Sequence, residues 1–118
     1  MRVVNRVAAD SAPSSREADR QAWLENLRDR GALQADPGVE ETVDALHRYL
    51  TWTPSRLRCL SLADAVGERQ LQNQPGTIDE YPNWRVPLTG PDGSPVTLEE
   101  IFTDPRTANL AKIMSSGR

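Results

Sequence analysis

Only one stretch of this chain, Arg56-Leu-Arg-Cys-Leu-Ser-Leu62, reads as a β-strand, and one strand cannot make a sheet. Its backbone donors and acceptors need neighbours in register, and no other segment supplies them well. Leu60 and Leu62 fall on one side of this run and Cys59, read as a small core residue, on the other. The order helix–helix–strand–loop–helix therefore predicts an α/β piece, mostly helical with one main strand, whose other strands are missing.

The helices are expected from their periods and caps. Residues 1–13 are poorly patterned and end at Pro13. Ser14-x-x-Glu17 has the spacing of a capping box, so a helix is expected from there to about Arg30, with Gly31 as its left-handed cap. Ala18, Ala22, Trp23 and Leu27 form its apolar stripe. After the turn Asp36-Pro37-Gly38, Val39, Val43, Leu46 and Leu50 repeat at steps of four, three and four and mark a second helix, closed by Thr53-Pro54. A helical turn over Ala63–Val66 stops at Gly67, and Pro91-Asp92-Gly93 makes a turn. Thr97-x-x-Glu100 is another capping box, and Asp104-Pro105 starts a last helix carrying Leu110, Ala111 and Met114.

Composition narrows the classes of function. The 118 residues suit one domain or a piece of a larger one, and 37% hydrophobic content supports only a modest core. A net charge of -3 with interspersed signs lacks the basic stripe of nucleic-acid binders. No apolar run approaches the ~20 residues of a membrane span. The single cysteine excludes an internal disulfide and fits a reducing compartment, so the cytoplasm is the expected location. His47 has no second ligand at metal spacing, and no glycine-rich phosphate cradle occurs.

The most informative segment is Asn73-Gln-Pro-Gly-Thr-Ile-Asp-Glu-Tyr-Pro-Asn-Trp-Arg-Val-Pro-Leu88, too polar for a strand and too broken for a helix. Long connections dense in polar and aromatic groups are usually binding surfaces on a rigid scaffold. Read together with Pro54-Ser-Arg-Leu-Arg-Cys-Leu-Ser-Leu-Ala-Asp-Ala-Val-Gly-Glu68, it resembles the C-terminal end of the 4-alpha-glucanotransferases, the amylomaltases or disproportionating enzymes of the glycoside hydrolase 77 family. The resemblance implies a TIM (β/α)8 barrel, of which residues 14–118 would be the last strand, a long active-face loop and closing helices. A barrel needs ~250 residues, so this chain cannot close one.

The resemblance also implies transfer of α-1,4-glucan segments to glucose or maltodextrin acceptors with retention, without cofactor or metal. Retention uses two carboxyl groups about 5–5.5 Å apart, and no motif here matches the family's catalytic positions, so no catalytic residue is assigned. Asp79 and Glu80 are loop neighbours without evident burial and are read as solvated or structural, with Arg85 placed to pair with either across the loop. The loop offers Asn73, Tyr81, Asn83 and Trp84 as substrate-binding candidates: rings for the faces of glucose units, carboxamides for hydroxyls. The competing reading makes the rings loop anchors and the asparagines turn caps. The implied partners are a maltodextrin or α-1,4-glucan and the remainder of the barrel, with no nucleic acid and no membrane. A stand-alone carbohydrate- or protein-binding module, or a subunit completing a split barrel, is the alternative.

Overall fold

The computed structural model describes residues 4–116, with side chains described from residue 15 onward. The chain divides into two compact units, Met1–Tyr49 and Leu50–Arg118. Five helices account for the regular structure of the described residues.

In the first unit, α1 spans Val4–Asp29 and α2 spans Val39–Thr51, its last two residues passing into the second unit. The expected start at Ser14 is corrected, since the backbone is already helical ten residues earlier. Pro13 removes one hydrogen bond from the helix, but Ala8, Ala9 and Ala12 around it are strong helix formers. The Ser14 side chain lies outside the described residues. Glu17 accepts from Gln21 Nε2 (2.6 Å) and Arg20 (3.4 Å), partners further along the helix. α1 ends as the glycine predicts. Gly31 has φ +70°, its N–H donates to Arg28 O, and the Ala32 N–H donates to Leu27 O, both at 2.9 Å.

This reversal folds Ala32 and Leu33 back onto Leu24 and Leu27, where Ala45 of α2 completes the core and Tyr49 packs against it. The expected stripes are therefore rotated. In α1, Leu24 takes the place assigned to Ala18, Ala22 and Trp23, all of which are exposed. In α2, Val39, Leu46 and Leu50 are exposed, because the helix meets α1 along Ala45 and Tyr49 instead. His47 is buried, and its Nδ1–H donates to Val43 O at 2.8 Å.

The second unit corrects the strand. Residues 57–61 form no ladder, and the nearest thing to a sheet among the described residues is one antiparallel bridge, Thr89 with Pro95. A segment without a partner in register forms no strand here, and Cys59 is exposed rather than a core residue. Leu62 instead opens α3, Leu62–Val66, capped by Ser61. The short α4, Leu98–Thr103, begins with the complete Thr97–Glu100 capping box. α5, Pro105–Ser115, begins with Asp104 as N-cap and proline in its first turn. The Asp104 carboxylate also takes a forked pair from Arg106, at 3.1 and 2.6 Å. α5 packs against α3 and α4, burying Ala65, Val66, Ile101, Leu110 and Ile113. Ile113 replaces the expected Ala111, which is exposed.

Gly67 is where three segments of this unit meet. It has φ +76°, and a Cβ there would lie 2.9 Å from Pro91 Cγ and 3.1 Å from an Arg106 guanidinium nitrogen. Gly31 has the same backbone hand but open space around it. Gly67→Ala is thus expected to lower the unfolding free energy by about 1–3 kcal/mol, and Gly31→Ala by less, the backbone cost alone being about 1–2 kcal/mol. Urea titrations followed by far-UV circular dichroism measure both, and equal losses would contradict the crowding at Gly67.

Candidate functional site

The connection from α3 to α4 is built from Glu68, which follows the Gly67 cap. The Glu68 N–H donates to Ala63 O (2.9 Å), finishing α3, and its half-buried carboxylate then gathers the loop. It accepts from the Arg69 and Gln70 amides (2.7 Å each), from the Thr89 amide (2.7 Å) and from the Thr89 hydroxyl (2.8 Å). Burial opposes ionisation of Glu68, but the hydrogen bonds from Gln70, Thr89 and Arg69 together outweigh it and hold the carboxyl below its ordinary value. One side chain thus closes the loop by binding two ends that lie 21 positions apart. Thr89 is itself buried.

Within the loop two arms are laced together. Gln74-Pro75-Gly76-Thr77 forms a turn with Thr77 N–H on Gln74 O (3.3 Å) and Gly76 at φ +85°, the proline and glycine of a type II turn. Across from it, Asn83 Oδ1 accepts the Gln74 amide at 2.7 Å, and Asn83 Nδ2 donates to Thr77 O (3.2 Å) and Thr77 Oγ1 (2.9 Å). The Tyr81 hydroxyl donates to Leu71 O, and the Trp84 amide to Gln72 O at 2.8 Å. Glu80 also turns inward: its carboxylate accepts the Ile78 amide at 2.8 Å, and this bond holds its carboxyl below the ordinary value. No ion pair joins Arg85 to Asp79 or Glu80 among the described residues. The hairpin after the loop is closed by Gly93 N–H on Gly90 O and by Asp92 accepting from Ser94.

The four sequence-derived candidates consequently occupy different positions. Asn83 and Tyr81 direct their polar atoms into the loop. Asn73 is half-buried and makes no side-chain hydrogen bond to another described residue. Trp84 is 76% exposed and sits at φ +60°, a left-handed conformation that a bulky residue rarely adopts. Its backbone is tied into the loop while its ring stands outside. Sequence reasoning gave no role to Glu68 or Thr89, because no local pattern links residues so far apart. Among the described residues no group of His, Cys, Asp and Glu could hold a metal, and no helix is long and apolar enough to cross a membrane.

The family model described as 4-alpha-glucanotransferase matches residues 8–92. Proteins of Mycobacterium bovis and Mycobacterium tuberculosis named 4-alpha-glucanotransferase are 63% identical over 100 residues, which is 83% of this chain. The chain spans only 14% of the length of these relatives. No solved structure matches it.

The clamp fixes a pH dependence. The depressed pKa of Glu68 means that its contribution is full above the unfolded-state value of roughly 4.3 and is lost as pH falls through the lower folded value. A carbon-detected titration of the Glu68 carboxyl is expected to give a midpoint below that of an unstructured glutamate, and Thr89→Ala is expected to raise it. A midpoint unchanged by Thr89→Ala would contradict the clamp.

Proposed function

Because the chain belongs to the 4-alpha-glucanotransferase family of glycoside hydrolases, we propose that it is the C-terminal part of an enzyme that moves α-1,4-glucan segments to glucose or maltodextrin acceptors with retention. Residues 14–118 contribute the closing portion of a (β/α)8 barrel in this reading, and the unladdered residues 57–61 pair with strands supplied by the rest of the enzyme. The reacting carboxyl groups also belong to that remainder. Asp79 is exposed, and Glu80 is committed to the Ile78 amide, so neither is arranged as half of a catalytic pair. The identity to full-length transferases favours this reading over a stand-alone module.

The loop supplies a wall of the glucan site, and one observation carries its role: Trp84 holds an unfavourable backbone conformation with its ring facing solvent. Backbone strain that persists is held by its surroundings, and it clusters where binding needs a fixed side chain. A flat indole so presented fits the C–H face of a glucose unit. Asn73 adds a carboxamide for sugar hydroxyls. Asn83 and Tyr81 act indirectly, by setting the shape from which Trp84 projects.

The purified chain is expected to release no glucose from maltotriose. Release that disappears on mutating Asp79 or Glu80 would overturn the placement of the carboxyl groups elsewhere. In the complete enzyme, Trp84→Ala is expected to lower kcat/KM for maltodextrins by about five- to tenfold, with Tm nearly unchanged because the ring is exposed. A fall in Tm with normal kinetics in the folded fraction would make Trp84 an anchor instead.

A further inference from the structure

We propose that the cleft formed by α1 and Tyr49 is a second saccharide-contact site, separate in sequence from the Trp84 loop. The cleft is shallow and open to solvent, offers about 370 Å³ and is lined by Asp19, Ala22, Trp23, Asn26 and Tyr49, a volume at the lower end of the range for small-molecule sites. Asp19, Ala22 or Trp23, and Asn26 follow at helical steps, so they share one face of α1. Tyr49 closes the side opposite that face from α2.

Three features distinguish this cleft from ordinary helix packing. Trp23 lies outside the Leu24–Leu27 core and is 51% exposed, yet its ring has an aromatic neighbour. Its ring meets Tyr49 edge to face, with centroids 5.8 Å apart and planes at 84°. The Arg30 guanidinium lies 5.4 Å from the Tyr49 centroid and donates through Nε to Asn26 Oδ1 at 2.9 Å. Arg30 therefore orients both Tyr49 and Asn26. With its oxygen engaged, Asn26 keeps its amide donors for another acceptor. Asp19 makes no hydrogen bond to another described residue, so its carboxylate oxygens are available as acceptors.

The chemistry selects the ligand. An indole face accommodates apolar C–H groups, a carboxylate accepts from neighbouring hydroxyls, and an amide donates to a hydroxyl oxygen. A pyranose ring presents all three within one small rigid body. The larger cleft of this unit, about 410 Å³ around Leu33, Asp36, Glu41, Asp44 and Arg48, has no aromatic wall and offers no such combination. The inference rests on the proposed glucan specificity for the identity of the sugar only.

The test is a titration of the ¹⁵N-labelled full chain with maltoheptaose, following the indole N–H resonances of Trp23, Trp52 and Trp84, each assigned by its Trp→Phe variant. The Trp23 resonance is expected to shift saturably, and to do so equally in a Trp84→Phe background. Asp19→Asn and Asn26→Ala, both exposed changes, are expected to weaken the apparent affinity by about three- to tenfold, the size of one net hydrogen bond. A Trp23 resonance that stays still while that of Trp84 moves would overturn the second site and leave the loop reading intact. A still Trp23 resonance overturns the second site whatever that of Trp84 does, because the loop is proposed as one wall of a site that the rest of the enzyme completes. Equal shifts with sorbitol, or midpoints unchanged in both variants, would also overturn the proposal.

Discussion

The second unit depends on what one carboxylate does at the end of a very short helix. Glu68 follows the left-handed Gly67, so its backbone finishes α3 while its side chain turns to collect three backbone amides and a hydroxyl. Closing a loop of this length costs entropy, and an irregular connection has no helix or ladder to offset that cost. A charged acceptor with four donors is among the stronger local devices available. It works here because Thr89 is buried, keeping water from competing for the bond.

Once the ends are held, the interior follows from residues of ordinary turn chemistry. Pro75 and Gly76 reverse the chain, and the Asn83 carboxamide makes three hydrogen bonds to the opposite arm. The backbone of Trp84 is caught between Asn83 and the carbonyl of Gln72, which leaves its ring on the outside. The exposed indole is thus a consequence of polar groups satisfying one another beneath it. This division of labour separates residues that shape the loop from the one that faces a ligand.

Local signals were legible in the sequence wherever their partners lie within a few residues. The Gly31 and Gly67 caps, the Thr97–Glu100 box and the Asp104-Pro105 start all depend on neighbours at fixed spacing. The apolar stripes were less legible, since periodicity gives a face but not its orientation. Ala45 is small enough to let α2 approach α1, and this contact turned Leu46 and Leu50 outward. The run Arg56–Leu62 has strand composition but no strand partner among the described residues, and propensity without a partner makes no ladder. At the site, Asn83 and Trp84 were visible as residue types, but whether each faced the loop or the solvent depended on hydrogen bonds that composition does not encode. Glu68 and Thr89 were invisible for the same reason, as was the pairing of Trp23 with Tyr49.

The central claim is that the loop behaves as one unit held from Glu68. Amide hydrogen exchange at Thr89 and Trp84, compared between the natural chain and Glu68→Ala at a single neutral pH, tests it most directly. The account predicts that both amides lose protection together, although only Thr89 touches the carboxylate. Loss at Thr89 with unchanged protection at Trp84 would contradict it.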